Sequence, residues 1–175
     1  LASANLEAVS DSGYLGNAYR AARVFGAAVP ENVPRTRSSR ALNLRAIGDL
    51  GSPNAPRSAI RGSYRYFWDN WDVKSHTIEG GYSRYVGESF LLDGFVRHYR
   101  QSKASFYSDD AQVQNTYVTR NRQLGTYSGN TLGGKVTYSW RKVPGQYEIK
   151  FNGALELLRY RYSDYTDLRS GGAYS

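Results

Sequence analysis

The feature that most constrains the fold is an alternating pattern in the middle of the chain. Apolar and polar residues alternate through residues 59–68 and again through 77–82, on either side of residues 69–71. A period of two is typical of β-strands with two different faces. One face would carry Ile60, Tyr64, Tyr66, Trp68 and Ile78, and the other Arg61, Ser63, Arg65 and Glu79. The pattern predicts an antiparallel hairpin, but it does not show whether the apolar face meets protein or lipid.

The same alternation predicts further strands on both sides of this hairpin. They span residues 2–10, 38–48, 90–101, 131–141 and 147–162. Clusters of Pro and Gly at 51–56 and at 144–145 mark turns between strands. Together these segments predict an all-β fold, an antiparallel up-and-down sheet of about seven strands.

Turn positions also predict which residues lie opposite each other, because directly paired residues in a hairpin have a constant index sum. We centred the three hairpins on residues 69–71, 86–88 and 144–145. The predicted pairs are Arg61–Glu79, His76–His98, Tyr82–Leu92, Leu132–Leu157, Tyr138–Phe151 and Arg141–Glu148. Each apolar residue meets an apolar or glycine partner in this arrangement, so the hairpins agree on one two-faced sheet.

Connection lengths differ between the two edges of the predicted sheet. Long loops at 11–35, 102–128 and 164–175 lie at one edge, and short turns at 49–57, 86–88 and 142–146 lie at the other. Short turns on one side and long loops on the other are typical of outer-membrane barrels. We therefore expect residues 1–175 to form a single domain, part of a larger transmembrane β-barrel.

Composition excludes several protein classes. No run approaches the ~20 apolar residues of a membrane helix, and the absence of cysteine excludes disulfides and thiolate metal sites. The chain has no Met and no signal peptide before Leu1, so we expect it to begin after processing or inside a longer protein. The net charge of +8 is spread along the strands, which argues against nucleic acid and is compatible with lipopolysaccharide.

A membrane barrel would turn its apolar face toward lipid and enclose the charged face. The residues expected to line the lumen are Arg45, Arg61, Arg65, Glu79, Lys135, Arg141, Glu148, Lys150 and Glu156. The structural alternative is a soluble β-sandwich or ligand-binding β-barrel with the apolar face inside. Strands of a dozen residues, longer than the usual five or six, favour the membrane interpretation.

Several motifs resemble an uncharacterised bacterial family, domain of unknown function 3570. They are DSGYLGNAYR at 11–20, PRTR at 34–37, GSYRYFWDNW at 62–71, HT at 76–77 and FYSDD at 106–110. The resemblance spans nearly the whole chain and implies the C-terminal half of an outer-membrane barrel with a signal peptide. The N-terminal half and a final strand ending in an aromatic residue are missing. The resemblance implies no activity.

Candidate chemistry in the sequence is sparse. His76 and His98 are the only histidines, and we weigh a metal or pH-responsive pair against two interfacial side chains. Loop carboxylates could bind a divalent cation or be simply solvated. They are Asp69, Asp72, Asp109, Asp110, Asp164 and Asp167. No Gly-x-Ser-x-Gly motif supports nucleophilic catalysis, so we expect no catalytic, cofactor or metal residues and no enzyme.

The sequence therefore predicts a bacterial outer-membrane barrel, porin-like or a transport channel, with a charged lumen. A scaffold barrel of an envelope assembly, closed by paired lumen charges, is the alternative, and a soluble ligand-binding barrel is the third. Expected partners are outer-membrane lipid and lipopolysaccharide, with other envelope proteins as further candidates. Basic loop segments at 34–37 and 120–122 would contact lipopolysaccharide phosphates or remain solvated.

Overall fold

The computed structural model describes residues 1–51, 57–143, 147–169 and 171–172, and its main element is a sheet of seven long strands. These strands are β1 (Ala2–Ser12), β4 (Thr36–Asp49), β5 (Ser58–Asp69), β6 (Lys74–Val86), β7 (Phe90–Gln101), β8 (Tyr127–Val143) and β9 (Tyr147–Tyr162). A separate hairpin of β2 (Ala21–Val24) and β3 (Ala27–Pro30) interrupts the connection between β1 and β4.

The long strands form an antiparallel meander in the order β1-β4-β5-β6-β7-β8-β9. The predicted all-β, up-and-down antiparallel sheet is confirmed. The sheet is open, with β1 and β9 at its two edges. Because direction reverses at each of the intervening pairings, β1 and β9 run the same way. The described residues contain no helix with the length and hydropathy required to cross a membrane.

Each strand contributes alternate residues to two faces, which we call the apolar face and the charged face. One row of the apolar face consists of Ala46, Gly62, Gly80, Val96, Leu132 and Leu157, side by side on neighbouring strands. The described part of the chain places no layer over this face: Val96, Leu132 and Leu155 are 58%, 56% and 70% exposed. The faces predicted from alternation are therefore those observed.

Two predicted registers are wrong by two residues. In β5–β6, Arg61 lies opposite Gly81 and Glu79 lies opposite Ser63. The turn is longer than expected because Asp69 Oδ1 accepts hydrogen bonds from the backbone N–H groups of Trp71 and Val73, both at 2.9 Å. A shift of two residues keeps every side chain on its predicted face.

The β6–β7 register shows the same shift. Its turn occupies residues 87–89 instead of 86–88, with Gly87 at φ +62°. His98 therefore lies opposite Ile78 and His76 opposite Arg100, so the predicted direct pairing of the two histidines is wrong.

The last hairpin follows the predicted register as far as Ser139, which lies opposite Lys150. A bulge at the next residue then shifts the pairing, so that Arg141 meets Ile149 and Lys142 meets Glu148. The predicted Arg141–Glu148 pair is therefore wrong, because an inserted residue offsets the two strands. Of the predicted turns at 51–56 and 144–145, residues 52–56 and 144–145 lie outside the described residues.

Two predicted loops contain regular structure. The segment 11–35 holds the β2–β3 hairpin, whose turn residues Phe25 and Gly26 both have positive φ, +50° and +78°. A two-residue turn with both φ values positive matches the twist of a hairpin. Strands of four residues are too short to establish an alternating pattern, which is why the sequence did not indicate them. The segment 102–128 includes a 3-10 turn at Arg122–Leu124, and β8 begins within it at Tyr127.

The buried apolar residues lie mainly in the connections. Segments 13–35, 70–73, 102–126 and 163–169 fold together at one end of the sheet, and we call them the cap. One buried cluster joins Val33, Trp71, Val73, Ala104, Tyr107 and Leu124, and a second joins Ala22, Ala111 and Val118. Phe67 of the charged face packs against the first cluster, so the cap covers the end of that face.

A close cross-strand contact on the charged face gives the first prediction. A Cβ at Gly133 would lie 2.2 Å from Phe95 Cε1, whereas one at Gly134, on the apolar face, would meet nothing nearer than 3.7 Å. Gly133→Ala should lower the free energy of unfolding by about 1–3 kcal/mol, because the ring must move. Gly134→Ala is the matched control and should change it by less than about 1 kcal/mol. Urea titration with tryptophan fluorescence measures both, and equal effects would contradict the contact.

Candidate functional site

Charged side chains on the charged face are linked across strands. Arg61 of β5 donates to Asp93 of β7 at 2.6 Å and to Ser83 Oγ of β6 at 3.1 Å, and Ser83 in turn donates to Asp93 at 2.9 Å. The guanidinium lies over Gly81, where a Cβ would come within 2.6 Å of it. Glycine at this position therefore lets one arginine span three strands.

The network continues through Glu79. This carboxylate pairs with Arg97 at 2.7 Å and lies 4.0 Å from Arg61, so the predicted Arg61–Glu79 pair exists as a diagonal contact instead of a direct one. Nearer the sheet edge, Glu7 of β1 accepts from Asn43 at 2.9 Å and lies 3.6 Å from Arg65. Ion pairs thus link β1 with β5, β5 with β7, and β6 with both β5 and β7.

The other predicted lumen residues differ in their surroundings. Arg45, Lys135 and Glu156 are exposed on the charged face and have no ion-pair partner among the residues described. Lys150 and Glu148 pair along β9 at 2.9 Å. The side chain of Arg141 lies outside what the structure describes.

Sequence reasoning missed three participants, Glu7, Asp93 and Arg97. Asp93 and Arg97 belong to β7, where Phe95 between them obscured the alternation. Their odd numbers place them on the charged face, because Asp93 pairs with Ser83 and Arg97 with Glu79 in the observed register. Strict period-two counting along β7 would have found both.

The cap meets the sheet at Asp69, the last residue of β5. Its Oδ2 accepts a hydrogen bond from Arg37 Nε of β4 at 2.8 Å and lies 2.6 Å from Arg37 Nη2, while its Oδ1 accepts the two hydrogen bonds of the 70–73 turn. The Asp69 side chain is 0% exposed, and the Arg37 guanidinium stacks 4.7 Å from the Trp71 ring of the cap. An arginine that is both ion-paired and stacked is fixed in one orientation.

A second arginine organises the far side of the cap. Arg120 pairs with Asp109 at 2.7 Å, stacks 4.4 Å from Tyr165 and donates to the backbone of Thr166. Its side chain is only 9% exposed. Arg37 and Arg120 therefore serve as internal ties, neutralised by Asp69 of β5 and by Asp109 of the cap. Contact of segments 34–37 and 120–122 with lipopolysaccharide stays a prediction.

Glu31 ties the β2–β3 hairpin to segment 102–126. Its carboxylate accepts from the Thr119 hydroxyl and from the backbone N–H of Asn17 at 3.0 Å, and Arg20 lies 3.8 Å away. Both Glu31 and Thr119 are buried. A buried carboxylate with this many donors is stabilised in place and is not available to a ligand.

Polar cavities open at both ends of the charged face. One of about 260 Å³ lies under the cap and includes Asp11, Arg20, Glu31 and Gln123 among its walls. The other, of about 850 Å³, lies at the opposite end beside the 87–89 turn, with Arg57, Glu88, Glu148 and Lys150 among its walls. Each end of the charged face therefore borders a cavity with charged residues in its wall.

The carboxylates and histidines considered as metal ligands are not brought together in the described structure. Among the described residues, no group of three or more His, Asp, Glu or Cys side chains is placed to hold a metal ion. Asp110 accepts a hydrogen bond from the Gly26 backbone and Asp164 from the Thr126 backbone, so both carboxylates join distant segments of the cap. His76 and His98 are exposed on the apolar face. His76 is hydrogen-bonded to Tyr64 at 2.7 Å, and His98 to Asn130 at 2.8 Å.

Tyr107 occupies the centre of the cap. Burial, reinforced by the carboxylates of Asp164 and Asp109, raises the pKa of its phenol well above the ordinary value. The hydroxyl therefore stays protonated and donates to the Asp164 backbone carbonyl at 3.0 Å. This bond links segment 102–126 to the residues that follow β9.

The Asp69 contacts give the second prediction. Asp69→Asn should lower the free energy of unfolding by on the order of 2 kcal/mol, since it removes the ion pair with Arg37. Asp72→Asn is the matched control, because Asp72 is exposed at the same turn and Asn tolerates its φ of +66°. Limited proteolysis should cut the cap segments faster in Asp69→Asn only. Equal cleavage of the two variants would show that this pair does not hold the cap.

Comparison with known proteins gives one informative result. A family model described as "Protein of unknown function (DUF3570)" matches residues 1–161. The match includes β1 to β8, nearly all of β9, and the cap segments 13–35, 70–73 and 102–126. Comparison with the curated proteins and with the solved structures gives no match.

Proposed function

The chain belongs to the family of proteins of unknown function DUF3570, and from its sheet we propose that it spans the bacterial outer membrane as part of a β-barrel with a charged lumen. The family description assigns no activity, so the proposal rests on the two faces. Its central observation is that long strands present an uncovered apolar face on one side and a cross-linked charged face on the other.

The apolar face supports contact with hydrocarbon. Its aliphatic rows extend across the meander, and no Asp or Glu occupies this face in the described strands. An exposed apolar surface of this breadth is costly in water and favourable in lipid. Aromatic residues near its ends, including Tyr66, Trp68, Tyr82 and Tyr147, fit interfacial girdles.

Strand direction supports a larger barrel. β1 and β9 run the same way, so these seven strands cannot close on each other with an antiparallel pair. An odd number of additional strands would satisfy both edges, and bacterial single-chain barrels have even totals. The two edges therefore fit pairing with further strands of a longer barrel protein.

A porin-like or transport role is supported by the polar cavities at both ends of the charged face. Among the described cations of this face, Arg45 and Lys135 are the ones without an ion-pair partner. Their uncompensated positive charge should make the lumen favour anions. No catalytic constellation accompanies these residues in the described chain, and we propose a non-enzymatic role.

The second candidate is a scaffold barrel within an envelope assembly. The pairs Arg61–Asp93, Arg97–Glu79 and Arg65–Glu7 favour it, because charges neutralised across strands fill a lumen without attracting solute. The cap over one end adds a physical obstruction. The two candidates differ in whether ions pass.

Cysteine scanning along β8 tests the membrane placement. The chain has no native cysteine, so single substitutions carry one label each. Spin labels at Leu132 and Val136 should be accessible to oxygen, which concentrates in lipid, and labels at Thr131 and Lys135 to a water-soluble relaxation agent. A soluble barrel predicts no such lipid signal. Aliphatic positions that remain protected from both agents would overturn the membrane placement.

Planar-bilayer recording of the complete protein separates the channel from the scaffold. A channel should conduct with a preference for chloride, and Arg45→Glu with Lys135→Glu should shift that preference toward potassium. Arg84→Glu, on the apolar face, makes a control with the same charge change per substituted residue. Absence of conductance supports the scaffold, whereas cation preference in the unaltered protein contradicts the proposed role of Arg45 and Lys135.

A further inference from the structure

Charges on the apolar face are distributed differently from those on the charged face. All carboxylates in the described strands of the sheet lie on the charged face. The charged residues that the described strands place on the apolar face are all basic. Those near the cap end are Arg40, Lys74, Arg100, Arg159 and Arg161. We call these five residues the basic belt. Arg84 is the corresponding basic residue toward the opposite end.

The register places the belt in adjacent rows. Arg40 and Lys74 flank Trp68 in one row. In the next row, Arg100 lies between His76 and Ser128, and Arg161 lies beyond Ser128. Arg159 follows one row further, beside Asn130. The belt therefore crosses the cap end of the sheet from β4 to β9 within three successive rows.

The belt residues are exposed and have no ion-pair partner in the described part of the chain. Arginines of the charged face behave differently, because Arg61, Arg65 and Arg97 each contact a carboxylate. Like charges held together without counter-charges repel one another. The arrangement is favourable once an anion supplied from outside the chain neutralises them.

The neighbouring rows indicate what kind of anion fits. Directly below the belt, the apolar face continues with Val96, Leu132 and Leu157. Tyr64, Tyr66 and Trp68 lie at the same height as the belt, and Tyr66 stacks on Trp68 at 5.3 Å. A nucleic acid or acidic peptide seated on the belt would leave the aliphatic rows in water. An amphiphile would use both surfaces.

We propose that the basic belt binds the phosphate head groups of anionic lipids whose acyl chains cover the aliphatic rows beneath it. The inference rests on the proposed membrane placement and adds the ligand class and the residues. Guanidinium groups suit phosphate because they donate two parallel hydrogen bonds. Since the belt lies only toward the cap end, the phosphate-rich leaflet would be the one on that side.

Spin-labelled lipids test the proposal with the complete protein inserted in vesicles. Labelled phosphatidylglycerol and phosphatidylcholine with the same chains are compared by the fraction immobilised at the protein surface. We expect a several-fold preference for phosphatidylglycerol, which weakens at high salt as screening increases. Arg100→Gln, Arg159→Gln and Arg161→Gln together should abolish the preference.

A matched triple variant removes the same total charge elsewhere. Arg45→Gln, Lys135→Gln and Arg84→Gln lie outside the belt and should leave the lipid preference unchanged. Equal loss in the two triple variants, or no preference in the unaltered protein, overturns the proposal. A third outcome also overturns the proposal: the preference is lost when millimolar inorganic phosphate replaces chloride at equal ionic strength. The belt would then bind free phosphate.

Failure of the membrane placement gives a separate result. Cysteine labels on β8 in the same vesicles report insertion independently of lipid type. Inserted protein without phosphatidylglycerol preference contradicts the belt alone. Protein that does not insert contradicts both the placement and the belt.

Discussion

The structure depends on one constraint: successive residues of a strand point to opposite sides, so each strand must supply two surfaces of different chemistry. Here the division is complete for acidic residues in the described strands, which all lie on one face. The charged face neutralises its arginines through cross-strand contacts, as in Arg61–Asp93. None of the residues that the structure describes forms a layer over the apolar face. A sheet of this kind requires two different environments.

The cap takes the place that a hydrophobic core has in most domains. Its segments come from distant parts of the sequence, and few apolar side chains, such as Trp71 and Leu124, fill its interior. Arg37, Arg120 and Glu31 add buried or half-buried polar contacts. These contacts fix the connections over the charged face, so the end of the sheet has a defined structure where the sequence indicated only loops.

Local periodicity predicted most of the sheet, because alternation determines strands and faces without any knowledge of partners. Register required more, since the four-residue turn after Asp69 depends on side-chain hydrogen bonds to Trp71 and Val73 that composition does not reveal. Pairs such as Arg61–Glu79 were consequently displaced to diagonals. The cap contacts could not be predicted, because they join residues that have no periodic or local relationship, such as Glu31 and Thr119.

Separation along the chain also determines an order of assembly. Between β4 and β9, four of the five strand pairs join through short connections and β7–β8 joins through residues 102–126, whereas the bond from Asn32 to Thr116 and that from Gly26 to Asp110 each close 84 residues. Closing a loop of that length costs more conformational entropy than closing a hairpin, and contacts between distant segments form slowly. We therefore expect the hairpins of the meander to form before the cap, so that protection of the cap would report a sheet whose strands are already paired.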